Sequence, residues 1–270
     1  MRFRITFVRP LSGAVLALFV VTASACASGR RGSVPPGTPQ PDQFLFERGT
    51  QALKEKKWLT SREYFKQVAE TYTQSPLRPE AKLGIGDSYL GEGSAEALVL
   101  GMAEFQEFLS YYPTHTRADY AQYKLAMTHF RQMRSAQRDQ TETRDALREF
   151  QTFVVRYPGS GLMPEVRAKL RETRDRLSTA ELEVGRFYHR IRWFPGCIDR
   201  LGTLLKEDPD FSRRDSVYFY LADAYLKAKR GAEALPFLEK LLQEFESSEH
   251  LEEAQKLIDE VKTGAPVKAS

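Results

Sequence analysis

The chain has 270 residues, a formal net charge of +4 and only two cysteines. Three of the positive charges, Arg2, Arg4 and Arg9, lie in the first ten residues, so the rest of the chain carries a charge of only +1. A near-neutral chain argues against nucleic acid as a partner, because binding to the phosphate backbone requires many unpaired cations.

The first 25 residues predict a secretory signal peptide. Residues 1–10 contain the three arginines and no acidic residue, residues 11–21 are apolar, and small residues occupy positions 23–25; this is the layout of a signal sequence. The apolar run of about eleven residues is shorter than the roughly 20 that span a bilayer as a helix. We therefore expect residues 1–25 to be removed and no transmembrane helix to remain.

The sequence TASAC, residues 22–26, resembles the lipobox of bacterial lipoproteins, in which the cysteine is acylated and becomes the new N-terminus. The resemblance implies lipid attachment at Cys26. Ser28 stands where inner-membrane lipoproteins carry an aspartate, which implies the periplasmic face of the outer membrane. Several acyl chains would anchor the chain stably. A plain signal peptide followed by a free cysteine is the alternative.

Composition divides the remainder of the chain into three parts. Residues 26–41 comprise Cys26 and a tether rich in Gly, Ser and Pro, a composition that favours a flexible, extended chain. In residues 42–262 apolar side chains recur at spacings of three and four, which predicts helix almost throughout. Residues 263–270 predict a frayed tail.

Small residues twelve positions apart predict a repeated helical hairpin. Ala222 and Ala234 form one such pair, and Gly185 and Cys197 form another. The spacing resembles the tetratricopeptide repeat (TPR), in which small residues lie where two antiparallel helices touch. Weaker copies upstream raise the number of units to five. The small residues of the first helices are, in order, Gly49, Gly86, Ala126, Gly185 and Ala222.

Five such units predict an all-α fold, an α-solenoid with one continuous core. A single hairpin cannot bury its own apolar face, so neighbouring hairpins must stack. Residues 248–262 have a charged outer face and predict a C-terminal capping helix. Cys197 takes the position that Ala234 has in the next unit, so we expect a small buried core residue there.

Three stretches resemble the BamD family, outer-membrane lipoproteins of the β-barrel assembly machinery. They are residues 111–130, 138–160 and 176–201, with family-like features at Pro113–His115, Asp119–Tyr120, Arg138–Asp139, Arg144, Tyr157–Ser160, Phe187–Tyr188 and Trp193. The resemblance extends over residues 42–262. It implies a non-enzymatic scaffold that helps to recognise and insert outer-membrane proteins.

The same resemblance implies the partners. They are the β-barrel assembly protein, through its periplasmic domains, other assembly lipoproteins, unfolded outer-membrane proteins, and the membrane through the lipid anchor. The alternative is a periplasmic TPR adaptor of the Tol-Pal or peptidoglycan-synthesis system. That family usually carries a coiled coil ahead of its repeats, whereas no sustained heptads precede Phe44 here.

No stretch of the sequence carries the pattern of an enzyme. The four histidines are scattered, with no spacing typical of metal ligands, and no phosphate-binding glycine loop or nucleophile motif is present. We therefore predict no catalytic residue, no metal site and no cofactor.

Five side chains are candidates for binding a partner. An arginine-rich stretch in the third unit includes Arg138, Arg144 and Arg148, and guanidinium groups suit acidic interfaces because they bind carboxylates with two hydrogen bonds. A solvated helix face with local ion pairs and a contact with lipid head groups are the alternatives. Trp58 and Tyr89 are candidate aromatic anchors in the first two units, the alternative being that both belong to the core.

Overall fold

A computed structural model describes residues 34–263, so the predicted signal peptide, Cys26 and the tail after residue 263 lie outside the described residues. Between residues 34 and 263 the chain forms eleven α-helices and no strand, which confirms the all-α prediction. They are α1 Pro41–Lys54, α2 Trp58–Thr71, α3 Arg78–Glu92, α4 Ala95–Tyr111, α5 Ala118–Gln132, α6 Thr141–Arg156, α7 Met163–Arg190, α8 Phe194–Glu207, α9 Arg214–Lys227, α10 Gly231–Glu244 and α11 Leu251–Thr263.

Consecutive helices pack against each other as antiparallel hairpins. Unit 1 is α1–α2, unit 2 is α3–α4, unit 3 is α5–α6, unit 4 is α7–α8 and unit 5 is α9–α10, with α11 packed on α10. The predicted solenoid of five hairpins with a capping helix is therefore confirmed. None of the helices between residues 34 and 263 has the length and apolarity needed to cross a bilayer.

Local sequence explains where several helices begin. Proline occupies the first turn of α1, α3, α7 and α8, a position where its missing N–H removes no helical hydrogen bond. Ser94 precedes α4, and its side chain accepts a hydrogen bond from the backbone N–H of Ala97, which satisfies one of the free donors at a helix start.

The small residues lie where the two helices of a unit approach most closely. A Cβ on Gly86 would lie 2.7 Å from the Phe105 ring, and a Cβ on Gly49 would lie 2.8 Å from the Phe65 ring. The second helix of each unit thus places one large side chain against the small residue of the first. These large side chains, all buried, are Phe65, Phe105, Phe150, Leu201 and Leu238.

Helix α7 has 28 residues, twice the length of α8. Val166, near its beginning, belongs to the apolar cluster of unit 3, whereas Leu182, near its end, belongs to the cluster of unit 4. Helix α7 therefore packs against two units in turn. This irregularity creates space between units 3 and 4.

A serine–aspartate hydrogen bond recurs in the connections between units. The hydroxyl of Ser75 donates to Asp42 at 2.6 Å, that of Ser160 to Asp119 at 2.6 Å and that of Ser248 to Asp215 at 2.7 Å. Each aspartate lies in the first turn of the unit's first helix. The contact therefore joins the beginning of a unit to the connection that leaves it.

Candidate functional site

A groove with a volume of about 970 Å³ lies between units 3 and 4. The α5–α6 loop (residues 133–140), α6, α7 and the end of α8 supply its lining. We call it the inter-unit groove. The lining residues that matter below are Arg138, Arg144, Leu147, Arg174, Val184 and Phe187.

The α5–α6 loop is folded around the buried side chain of Gln140. Its Nε2 donates to the carbonyl oxygens of Ser135 at 2.8 Å and Arg138 at 2.9 Å, and its Oε1 accepts from the Thr143 hydroxyl at 2.9 Å. A buried amide is stable only when its polar atoms are hydrogen-bonded. Gln140 therefore fixes the backbone that carries Arg138 beside the groove.

Two of the three predicted arginines meet at the inter-unit groove. Arg138 and Arg144 are exposed along it and are joined there by Arg174. None of these three guanidinium groups forms an ion pair with another side chain of residues 34–263. The lining of the groove also includes five carboxylates. Glu181, Glu183 and Asp208 are paired with other arginines, whereas Asp139 and Glu207 have no ion pair within residues 34–263. The three unpaired arginines therefore outnumber the unpaired carboxylates, and the groove offers a small excess of positive charge to a partner.

Arg148 lies elsewhere. Its guanidinium pairs with Asp145 at 2.7 Å and with Glu149 at 3.3 Å, and its side chain is 63% exposed. It does not line the groove. The structure thus places Arg148 on a solvated helix face with local ion pairs, which is one of the alternatives that the sequence left open.

One end of the groove is closed by a buried carboxylate, Asp208. It accepts hydrogen bonds from the Arg171 guanidinium at 2.8 and 2.5 Å and from the Ser178 hydroxyl at 2.5 Å. Burial alone would raise the pKa of Asp208, but the hydrogen bonds and the charge of Arg171 outweigh burial and leave the pKa below its usual value. Asp208 is therefore ionised, and the positive charge of Arg171 balances its charge. It is part of the structural framework rather than a free charge in the groove.

The groove also has an apolar surface, made chiefly by α7. Leu177 and Val184 line it together with Leu147 of α6, and the side chain of Phe187 is 45% exposed. Exposed aromatic and aliphatic groups beside unpaired arginines are typical of protein-binding surfaces. The arrangement suits a segment that presents carboxylates next to apolar side chains.

Comparison with known proteins identifies the family. The family model YfiO, described as outer membrane lipoprotein, matches residues 39–235. The chain belongs to the YfiO family. Its relatives include proteins named outer membrane protein assembly factor BamD. The one from Caulobacter vibrioides is 26% identical over 84% of this chain and 73% of the relative, and the one from Vibrio cholerae is 27% identical over 66% and 76%.

The solved structures found by comparison include TPR proteins. The TPR2AB-domain:pHSP90 complex of yeast Sti1 has a TM-score of 0.42 and 11% identity, covering 82% of this chain and 98% of that one. A tetratricopeptide repeat protein from Parabacteroides merdae has a TM-score of 0.37 and 16% identity, covering 84% and 88%. The helices of this YfiO-family chain and their packing define its fold.

The two predicted aromatic anchors have different environments. Trp58 packs over Gly91, where a Cβ would lie 2.5 Å from the indole ring, so it is largely a packing residue. Tyr89 lines a smaller hollow of about 370 Å³ between units 1 and 2, with the Arg62 guanidinium 4.3 Å from its ring centre. Leu59, 64% exposed, also lines this hollow.

His129, Glu142 and Asp145 form the one group, within residues 34–263, whose atoms are spaced to hold a metal ion. Their ligand atoms lie within 4.8 Å of one another, and His129 Nδ1 is 2.8 Å from a Glu142 carboxylate oxygen. Arg148 already pairs with Asp145. The observed contacts make this group a hydrogen-bonded network that joins α5 to α6.

Proposed function

We propose that this YfiO-family chain is a non-enzymatic scaffold of the outer-membrane β-barrel assembly machinery. The observation that carries the proposal is the family match over residues 39–235, together with curated relatives named as assembly factors. These names favour barrel assembly over the alternative of a Tol-Pal or peptidoglycan-synthesis adaptor. The fold supports a binding role, because stacked hairpins offer extended surfaces for other proteins.

The proposal includes a lipid anchor at Cys26, which holds the chain at the periplasmic face of the outer membrane. Cys26→Ala should move the chain from washed membranes to the soluble periplasmic extract, because the acyl chains supply the binding energy. Cys197→Ala is the matched control and should stay in the membrane fraction, since Cys197 is buried in the solenoid. Retention of the Cys26→Ala chain on washed membranes would contradict the anchor.

The inter-unit groove is the proposed docking site for a partner of the assembly machinery. Its three unpaired arginines and exposed Phe187 suit an acidic segment with apolar side chains. We expect this segment to belong to the periplasmic domains of the barrel-forming assembly protein. Unfolded outer-membrane proteins and other assembly lipoproteins are the remaining proposed partners of the solenoid.

A charge reversal in the groove tests this docking. Arg138→Glu with Arg144→Glu should reduce the barrel protein that co-purifies with the chain in mild detergent more than tenfold, because interfacial arginines contribute about 2 kcal/mol each when they are hot spots. Arg148→Glu makes the same kind of charge change outside the groove. It should leave co-purification unchanged.

Quantitative mass spectrometry of the co-purified proteins separates the outcomes. Equal losses in the groove variant and in Arg148→Glu would refute the groove as the docking site. Recovery of Tol-Pal or peptidoglycan-synthesis proteins, without a barrel protein that has tandem periplasmic domains, would instead support the alternative function. Far-UV circular dichroism of each variant confirms that the solenoid remains folded.

A further inference from the structure

The turns inside the five units all lie along one edge of the solenoid. Because consecutive helices are antiparallel, the turns that join the two helices of a unit lie on one side and the connections between units lie on the other. We call the first side the hairpin edge. It comprises the α1–α2, α3–α4, α5–α6, α7–α8 and α9–α10 turns.

Three hairpin turns place a basic residue in the left-handed backbone region. Lys56, Arg192 and Lys229 have φ angles of 58°, 62° and 60°. In each turn the backbone N–H of this residue donates to the carbonyl three residues back, and the N–H of the following residue donates to the carbonyl five residues back. This pair of hydrogen bonds is the Schellman motif, which usually ends a helix at a glycine. The α3–α4 turn does have glycine in this conformation, Gly93 with φ 72°.

Glycine adopts this conformation without strain, whereas a residue with a Cβ does not. Three turns of this chain nevertheless carry Lys or Arg at the position, and all three side chains are exposed. A cation at the end of a helix interacts favourably with the helix dipole, but Lys54, Arg190 and Lys227 already supply one in the last turns of α1, α7 and α9 without strain. The dipole therefore does not explain a second cation at the strained position. A requirement for positive charge at the tip of the turn does.

Further cations lie at four of the five turns of the hairpin edge, whereas the α3–α4 turn is flanked by Glu92 and Glu96. Among these additional cations, Lys57 pairs with Glu55 and Arg230 pairs with Glu233. The other additional cations form no ion pair with side chains of residues 34–263. The connections on the opposite side are less basic, and the last one, residues 245–250, contains Glu246 and Glu249. The additional cations of the hairpin edge are Lys54, Lys57, Arg134, Arg138, Arg190, Lys227 and Arg230.

Exposed apolar side chains accompany the cations at the α7–α8 turn. Ile191 is 53% exposed and Trp193 is 52% exposed, on either side of Arg192. The indole is held in place, because it packs over Gly196 and edge-on against Tyr188 with ring centres 4.7 Å apart. Fixed aromatic rings beside long cationic side chains are the composition of surfaces that bind at the membrane–water interface.

We propose that the hairpin edge docks on an anionic phospholipid surface. Lys56, Arg192 and Lys229 contact headgroup phosphates, and Trp193 with Ile191 enters the interfacial layer. These three cations lie at the tips of separate turns and have no ion-pair partners within residues 34–263. A lipid surface, which presents many charged headgroups, suits such an arrangement better than a protein site with fixed partner positions. The inference rests on the proposed location at a membrane, but not on the identity of the protein partner.

The proposed anchor permits this orientation. The start of α1 lies on the side opposite to the hairpin edge, and α1 is 14 residues long, or about 21 Å at 1.5 Å per residue. Val34 packs against the apolar cluster of unit 1, and the Thr38 N–H donates to the Pro35 carbonyl in a turn. The seven residues between Cys26 and Val34 can span roughly 23 Å when extended. This reach is about equal to the length of α1, so an anchored molecule can lay its hairpin edge on the same bilayer.

Vesicle flotation tests the proposal without interference from the anchor. The probe is the chain from residue 26 onwards with Cys26→Ser, added to vesicles of phosphatidylcholine alone or with 30% phosphatidylglycerol, a composition chosen for the roughly −30 mV surface potentials of anionic membranes. The edge variant combines Lys56→Gly, Arg192→Gly and Lys229→Gly. Glycine removes the charge and relieves the backbone, so loss of folding cannot explain a loss of binding.

We expect the parent chain to float with the anionic vesicles and to be released by salt. The edge variant should bind them roughly a hundredfold more weakly, from about 1 kcal/mol for each cation near the surface. A control variant removes three exposed cations away from the edge, Arg167→Gln, Lys206→Gln and Lys256→Gln, and should bind within about threefold of the parent, since charges beyond a Debye length of roughly 10 Å are screened.

A second readout follows Trp193 itself. The chain has two tryptophans, so Trp58→Phe leaves Trp193 as the only one, and brominated lipids should quench its fluorescence. Equal binding of the edge variant and the parent, or no quenching of Trp193, would overturn the proposal. Loss of a co-purified protein from the edge variant with unchanged vesicle binding would make the edge a protein interface instead. Release of Cys26→Ala from membranes is a separate result that bears only on the proposed function.

Discussion

Gly185 in α7 is the position where one substitution tests the contact between two helices most directly. A Cβ at Gly185 would lie 2.6 Å from Cγ of Leu201, a fully buried side chain of α8. No ordinary packing allows this distance, so Leu201 or α8 must move. Overpacking of this kind costs about 1–3 kcal/mol, against a gain of roughly 1 kcal/mol from replacing glycine within a helix.

The expected net effects follow from these two contributions. Gly185→Ala should lower the free energy of unfolding by up to about 2 kcal/mol, and Gly185→Leu, with three more carbons to accommodate, by about 3 kcal/mol. At about 2–4 °C per kcal/mol for a chain of this size, the leucine variant should melt about 6–12 °C below the parent. Thermal unfolding followed by far-UV circular dichroism measures both.

Gly202 in α8 provides the matched control, because no heavy atom lies within 4 Å of a Cβ built there. Only helix propensity acts at that position, so Gly202→Ala should raise the stability by up to about 1 kcal/mol. The reasoning would be refuted if Gly185→Ala stabilised the chain as much as Gly202→Ala does.

Two further predictions concern titratable groups inside the solenoid. Hydrogen bonds from Arg171 and Ser178 outweigh burial and keep the folded-state pKa of Asp208 below the ordinary 3.8, so ionised Asp208 stabilises the fold above that pH and the contribution is lost as the pH falls through the lower folded value. Asp208→Asn should therefore be less stable at neutral pH and lose less stability on acidification; parallel acid unfolding curves would contradict this. Burial raises the pKa of the Cys197 thiol to about 12, so Ellman's reagent should label it only as fast as the chain unfolds, and rapid labelling of the native protein would contradict its burial.

The sequence is sufficient to predict the repeated architecture because the helix contacts depend on residue size at fixed spacing. Gly185 has no room for a side chain and Cys197 is fully buried, and Ala222 and Ala234 repeat the pair of small residues one unit later. The structure also separates the predicted arginines for a simple geometric reason. Arg144 lies on the helical stripe of Leu147 and Gln151 that lines the groove, whereas Arg148 is turned about 40° from Arg144 in the direction away from that stripe.

Other parts of the site had no signal in the sequence. Gln140 is buried and holds the α5–α6 loop through three hydrogen bonds, but a glutamine in a loop has no periodic pattern that predicts burial. In the sequence Asp208 precedes Pro209, which predicts only that a helix ends there. In the structure Asp208 is buried and accepts hydrogen bonds from Arg171 and Ser178. Both depend on partners from distant positions, which local spacing cannot reveal.

The groove and the hairpin edge both lie where the chain departs from its own repeat. An eight-residue loop enters unit 3, and α7 extends over two units, so the regular stacking that would fill the space between α6 and α8 is interrupted and a groove of about 970 Å³ remains. On the hairpin edge, Lys56, Arg192 and Lys229 occupy positions where glycine would be unstrained. Such local departures from the stable choice are expected at functional sites. In a solenoid, whose regular residues are explained by packing, the irregular ones are therefore the best guide to what the surface binds.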